Sequence, residues 1–337
     1  RKKRTRKANN RSPAPWPGFS ITGAKRGKVK GMIVAEELTK WFDDFLAVDR
    51  VSLDVQPGQV LVLLGQNGAG KTTTVRMLTS ILQPSGGRAW VAGYDVVRQA
   101  DKVRASVGVL TENHGLYGRM SAVEYLEFFG SLYGMPGRSL RPRINELLER
   151  FGLGQVGKKR LGEFSKGMRQ KLALVRAILH DPPVLLFDEP TSAMDPQSAR
   201  LVRDAIRSLR TTGRTLLLCT HNLTEAEELA DKVAIIRQGR IILNDTLENV
   251  KRQLLGPVEY EACLGEDLNG WVPQLPPGVE LRAQGKDWLR FHIEEPEKTN
   301  PLLLQRLLDD RLPVVSFHEV PRSLEQAFLN AVGDLEQ

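Results

Sequence analysis

The sequence predicts an α/β fold: a sheet packed with helices, interrupted by an inserted helical subdomain and followed by a small α+β C-terminal domain. Three observations predict it. From Met32 onward, short β-branched or aliphatic runs alternate with helical patterns. Across about 112–181 the texture turns helical, and strand patterns return at Val184. Beyond about Lys251, short strand-like runs alternate with leucine-rich helical stretches.

In chain order, residues 32–37 and 51–55 read as strands, and Pro57-Gly58 turns the chain into a third strand at 60–64. A glycine-rich loop and a helix over about 71–82 follow. The run Gln83-Pro84-Ser85-Gly86-Gly87 ends that helix, and a strand begins at 88–91. Within the helical stretch, 122–132, 144–151 and 167–179 carry the helical period. Strands return at 184–187, 215–219 and 233–237, and Gln238-Gly239 turns into 240–243. In the last segment, 258–263, 279–281, 289–293 and 314–317 read as strands, with helices at 302–308 and 323–332. The division predicted is a tail at 1–31, a first domain at 32–250 with its helical subdomain at about 112–181, and an accessory domain at 251–337. No internal repeat is present.

Composition narrows the class. The hydrophobic share of 41% is that of an ordinary folded protein, and no apolar run approaches the ~18 residues of a membrane span. Two cysteines, Cys219 and Cys263, make neither a disulfide framework nor a metal site, and read as thiols of a reducing compartment. The net charge of +8 is unevenly placed, because eleven basic and no acidic residues precede Met32. The remainder holds 37 basic against 40 acidic residues, so the folded part is not basic. The tail reads as a solvated arm, as a tether to anionic lipid headgroups, or as a juxtamembrane stretch. It has no apolar core after its basic start, which counts against a signal peptide. The chain starts at Arg1 rather than Met, so a longer protein with a membrane span upstream stays open.

The chemistry is concentrated in two segments. Gly65-Gln66-Asn67-Gly68-Ala69-Gly70-Lys71-Thr72 fits G-x-x-x-x-G-K-[ST] directly between an apolar strand and a helix. Glycines there let backbone N–H groups turn toward phosphate oxygens, and the helix N-terminus adds positive potential. Lys71 reaches the β- and γ-phosphates, the Thr72 hydroxyl is a ligand for Mg²⁺, and Thr73 extends the phosphate-binding run. A glycine-rich turn that binds nothing is the bland reading, and the flanking strand and helix count against it. Val184-Leu185-Leu186-Phe187-Asp188-Glu189 is an apolar strand ending in two carboxylates. In such a segment Asp188 holds Mg²⁺ and Glu189 polarises the attacking water as general base. Strands often end in acidic residues at a turn, so this reading draws its weight from the phosphate loop.

Phe164-Ser165-Lys166-Gly167-Met168-Arg169-Gln170-Lys171 resembles the signature of ABC transporter ATPases, in the S-K-G-M-x-Q form common among ATPases of drug and sodium exporters. It stands 23 residues before Asp188, as in that family, and the resemblance runs from Met32 to about Asp334. The resemblance implies an ABC-type ATPase of the P-loop NTPase fold, using ATP and Mg²⁺. It also implies that Ser165 and Gly167 bind the γ-phosphate held by a second ATPase cassette, identical or not. Ser192-Ala193-Met194-Asp195 resembles the D-loop, with Met where Leu is usual, and Asp195 then shapes the facing site. His221 fits the switch histidine that contacts the γ-phosphate, and Phe42 the adenine-stacking aromatic, although Trp41 stands beside it. Glu112 occupies the place of the family's Q-loop glutamine; a carboxylate there still ligates Mg²⁺ but adds negative charge. Residues 323–329 resemble the S-L-E-x-x-F-L segment that closes ATPases of the same exporter branch.

The resemblance therefore implies an ATP-hydrolysing subunit that powers movement of a substrate across a membrane, export by branch, through a transmembrane permease. The subunit would sit at the cytoplasmic face, peripheral through that permease. The competing reading is a soluble ABC ATPase acting on ribosomes or nucleic acid, to which the basic tail lends its charge. One cassette, and a separation of only 94 positions from Lys71 to Ser165, disfavour it.

Overall fold

Why the chain forms these elements is clearest in the computed structural model, which describes residues 31–111, 115–192, 194–256, 258–268, 274–325 and 327–328. The chain divides into two compact units between Thr246 and Leu247, where one element follows another without a linker. The first unit runs β1 (Ile33–Phe42), β2 (Phe45–Val55), β3 (Val60–Leu64), α1 (Lys71–Leu78), β4 (Gly86–Val91), β5 (Tyr94–Asp95), α2 (Ala100–Ser106) and β6 (Val107–Leu110). It continues with α3 (Ala122–Leu132), α4 (Gly137–Arg150), α5 (Lys166–Ile178), β7 (Val184–Asp188), α6 (Pro196–Arg210), β8 (Thr215–Thr220), α7 (Leu223–Leu229), β9 (Lys232–Arg237) and β10 (Arg240–Thr246).

Two sheets organise this unit. One is antiparallel, in the order β2-β1-β4-β5; the other is six-stranded, in the order β10-β9-β3-β8-β7-β6. In the second sheet β6, β7, β8, β3 and β9 are parallel, and β10 pairs antiparallel at the edge. Every residue of β3, β7 and β8 is buried, as expected of parallel strands covered on both faces. Each such aliphatic side chain stabilises the fold by about 1.5–3 kcal/mol on burial. Strand β8 lies between β3 and β7, with Leu64 level with Thr220 and Asp188 level with Cys219. The C-terminal ends of these three strands are thereby brought to one edge of the sheet, where ligands bind in open α/β folds.

The helical insertion is built from α3, α4 and α5, which pack on one another. Ser121 and Glu124 form a capping box that starts α3 at Ala122. Gly130 lets α4 approach closely, since a Cβ there would lie 2.3 Å from Leu140 Cδ1.

Several elements depart from the sequence expectation for local reasons. Helix α1 stops at Leu78 rather than near 82, because the Thr79 hydroxyl bonds back to Val75 O and Ser80 turns left-handed at φ 58°. Strand β1 runs on to Phe42 through register shifts against β2 and a positive φ at Glu37. Helix α4 begins at Gly137 and passes through Pro142. Helices α2, α6 and α7 were not foreseen. Helix α6 had a readable start, an Asp195 N-cap followed by Pro196 at its first position.

The second unit contains α8 (Leu247–Leu255), β11 (Glu259–Leu264), β12 (Val279–Gln284), β13 (Trp288–Ile293), α9 (Pro296–Asp309) and β14 (Val314–Glu319). Its antiparallel sheet, in the order β12-β13-β11-β14, buries Ala262, Leu289 and Phe291 with Leu303 and Leu307 of α9. The expected helix at 323–332 is seen as helical residues Leu324, Glu325, Ala327 and Phe328, and its remainder lies outside the described residues. Among the described residues, no helix is long and apolar enough to cross a membrane.

Candidate nucleotide site

The glycine-rich loop leaves β3 and returns as α1, in space too narrow for side chains. A Cβ on Gly65 would lie 2.4 Å from Ile236 O, and Gly70 caps α1 at φ 104° with Ala47 O where its Cβ would go. The loop is tied down by Gly65 N donating to Thr220 O of β8 and Ala69 O accepting from Gly239 N. Lys71, the first residue of α1, is buried, and its Nζ donates to Gly65 O at 2.6 Å and Gln66 O at 3.1 Å. The ammonium thus sits in the mouth of the loop formed by its own backbone.

Opposite lie the two carboxylates that end β7. Asp188 accepts the Thr72 hydroxyl at Oδ2 across 2.6 Å. Glu189 leaves the sheet with φ 52°, a backbone conformation that costs a bulky side chain on the order of 1–3 kcal/mol and persists where neighbours impose it. Its N–H donates to Cys219 O of β8 at 2.8 Å. The bend aims the carboxylate across the strand ends: Oε1 lies 2.8 Å from His221 Nδ1 and 3.7 Å from Lys71 Nζ. Glu189 is nearly buried whereas His221 is half exposed.

A cavity of about 370 Å³ lies over this cluster. Phe42, Phe45 and Ala47 of the β1–β2 hairpin line it, with Asn67, Gly68, Gly70, Lys71, Thr72, Thr73, Asp188 and Glu189. Phe42 therefore faces the site, and its neighbour Trp41 does not line it. Phe45 and Gln66 also line the cavity, and neither was singled out from the sequence.

Gly65, Ala69 and His221 adjoin the loop and Glu189 without lining the cavity, and Ser165, Gly167 and Asp195 lie elsewhere. The Ser165 hydroxyl caps α5 by accepting from Met168 N, and Asp195 caps α6 by accepting from Ser198 N. The Ser198 N–H holds the Asp195 carboxyl below the usual carboxylate range. Gly167 lies near Ser198, whose Oγ would be 3.9 Å from an added Cβ, so the starts of α5 and α6 are neighbours. Neither Ser165, Gly167 nor Asp195 lines the cavity. Glu112 lies outside the described residues, as does Ala193 within the D-loop-like segment.

Gln170 and Glu225 were also missed as parts of the site. The Gln170 side-chain amide donates to Glu189 O at 3.2 Å and Pro190 O at 2.9 Å, and Glu225 accepts from the Thr191 hydroxyl at 3.0 Å. Gln170 falls inside the signature octet, but nothing local names its partner.

With the geometry in place, the comparisons agree with it. The ABC transporter family model matches residues 48–192. The ABC transporter ATP-binding protein NatA of Bacillus subtilis is 41% identical, covering 71% of this chain and 95% of that protein. The daunorubicin/doxorubicin resistance ATP-binding protein DrrA of Streptomyces peucetius is 40% identical, covering 88% of this chain and 91% of its own length. A solved ATP-binding subunit of an ABC transporter superposes with a TM-score of 0.63 at 28% identity, covering 67% of this chain and 94% of that one. The chain belongs to the ABC transporter family, as an ATP-binding subunit with the P-loop ATPase fold. It is an ATPase of the transporter type, and the reading in which it acts on ribosomes or nucleic acid has no support among these relatives.

Proposed function

We propose that this chain binds Mg²⁺-ATP in the cavity over its phosphate loop and hydrolyses it to drive export through a transmembrane permease. The observation that carries the reading is the Glu189 carboxylate, held between Lys71 and His221 and beside the Thr72–Asp188 pair. On binding, the triphosphate takes the loop N–H groups of Gly65 to Thr73, and Lys71 exchanges its carbonyl partners for the β- and γ-phosphates. Phe42 stacks on the base.

Thr72 and Asp188 fit Mg²⁺, because a hydroxyl and a carboxylate are hard oxygen donors, already in contact, that leave the remaining positions to phosphate and water. The ion would neutralise charge developing on the phosphates. Glu189 accepts a proton from the attacking water, and His221 fixes the carboxylate and contacts the γ-phosphate. We infer that Glu112 serves as metal and coupling ligand in place of glutamine; Glu112→Ala should then disturb Mg²⁺ dependence and transport-coupled hydrolysis.

Ser165 and Gly167 lie at the N-terminus of α5, away from this chain's own cavity, which supports a composite site closed by a second cassette, with Asp195 shaping the facing half. The permease surface is assigned to the helical subdomain, where Tyr117, Phe128, Leu132 and Tyr133 are exposed. The chain would sit peripherally at the cytoplasmic face, the basic tail touching anionic headgroups, with residues 247–337 as an accessory domain. Export is supported by relatives such as the Nod factor export ATP-binding protein I of Cupriavidus metallidurans, 34% identical over 87% of this chain and 95% of its own length.

Glu189→Gln tests the reading. Steady-state hydrolysis should fall by ~10²-fold or more while ATP stays bound and holds a dimer, read by turnover and size-exclusion chromatography. Unchanged hydrolysis would remove Glu189 from the base role.

A further inference from the structure

We propose that Gln170 and Glu225 are positioning residues for Glu189, gripping the bend after β7 from the signature helix on one side and from the helix behind the switch histidine on the other. The inference rests on Glu189 being the general base. That residue holds a left-handed backbone, at φ 52°, which needs its surroundings to enforce it. The strand beside it supplies one restraint, through Cys219 O. The Ser192 N–H adds a turn bond to Glu189 O at 3.2 Å, and two helices add side-chain restraints. One amide nitrogen, Gln170 Nε2 of α5, donates to both Glu189 O and Pro190 O. Two residues onward, the Thr191 hydroxyl donates to Glu225 Oε1 of α7.

Burial shows that these contacts are specific. Gln170 is 4% exposed, Thr191 8% and Glu225 1%. An aliphatic residue would fill the same space without the cost of burying an amide or a carboxyl, so the Gln170 amide is explained by the two carbonyls it holds and the Glu225 carboxyl by its hydroxyl partners, Thr191 among them. Burial raises the Glu225 carboxyl above its ordinary range, despite hydrogen bonds from the Thr220 and Thr191 hydroxyls. Protonated or not, it still offers an oxygen to the Thr191 hydroxyl.

The placement has a mechanical consequence. Gln170 lies one turn into the helix that Ser165 caps, and Glu225 lies in the first turn of the helix that Asn222 caps directly after His221. A displacement of α5, produced where an opposing triphosphate meets its N-terminus, is therefore passed to the backbone of Glu189 in the same chain. The signature helix reads the facing nucleotide and sets the geometry of its own base.

The test is steady-state hydrolysis by the full chain with Mg²⁺ and ATP, together with ATP affinity and thermal melting. Gln170→Met, Thr191→Val and Glu225→Ala should each lower kcat by ~10–100-fold, the scale of a misplacement near 1 Å, with KM and ATP affinity within about twofold of the parent. Thr191→Ser and Glu225→Gln keep the donor and the acceptor, and should recover most of kcat. The proposal is overturned if Thr191→Val retains full kcat, if Glu225→Gln is as damaging as Glu225→Ala, or if KM rises in step with the loss of kcat. Should Gln170→Met fail to fold, the milder Thr191→Val and Thr191→Ser pair decides. Glu189→Gln run alongside separates the two readings: full hydrolysis by that variant removes the base itself, whereas its inactivity with intact Thr191→Val turnover removes only the clamp.

Discussion

Thr72 and Asp188 stand 116 positions apart in the chain and share a 2.6 Å hydrogen bond from Oγ1 to Oδ2. The bond joins the first turn of α1 to the last residue of β7, although β8 separates β7 from β3 in the sheet. Loop and strand end are thus one oxygen-donor unit. Thr72→Ala and Asp188→Asn should each raise the Mg²⁺ concentration needed for half-maximal hydrolysis by ~10-fold or more, while metal-free nucleotide binding is retained. Calorimetric titration of ATP with and without Mg²⁺ measures both. Equal loss with and without the metal would show instead that the pair holds the loop.

The aromatic assignment gives a paired prediction. Phe42 lines the cavity and Trp41 does not, although the two are similarly exposed. Stacking of a base on an aromatic ring is worth about 1–3 kcal/mol by alanine substitution, so Phe42→Ala should weaken ATP binding by ~5–150-fold. Trp41→Ala should change it by less than about twofold. Titration with a fluorescent ATP analogue distinguishes them, and the reverse ranking would move the base to Trp41.

A pH effect is expected from His180, whose ring stacks on Tyr133 with centroids 3.7 Å apart and planes 4° from parallel. Burial lowers its pKa from 6.5 to about 4. The fold therefore favours the neutral ring, and the unfolded chain takes up a proton first. Stability is present above the unfolded value of 6.5 and is lost as pH falls toward about 4. His180→Phe keeps a flat ring against Tyr133 and removes the titration. Its melting temperature should drop less than the parent's between neutral and mildly acidic buffer, and an identical drop would assign the acid loss to other groups.

Much of the site was readable because its chemistry is local. The loop at 65–72 needs glycines where its backbone passes Ile236 and Ala47, and its flanking strand and helix carry the period that announces them. Asp188 and Glu189 end an apolar run, whereas α6 was not foreseen although the Asp195-Pro196 pair marks its start. Helix ends were less readable. Helix α1 stops at Leu78 because of a side-chain bond from Thr79, whereas the apolar Ile81 and Leu82 continue the helical pattern past it.

By itself the sequence marked out a glycine-rich loop of phosphate-binding form and an acidic strand end, because glycine and charge requirements act within a few residues, whereas the signature-like segment and His221 were read by resemblance to a family. Only the tertiary structure decided that β8 runs between β3 and β7 and so brings His221 to Glu189. It also turned Phe42 rather than Trp41 toward the cavity, and gave Gln170 and Glu225 their partners. Those outcomes depend on strand order and register, which are set by burial of whole strand faces across more than a hundred residues and leave no mark in any one short segment.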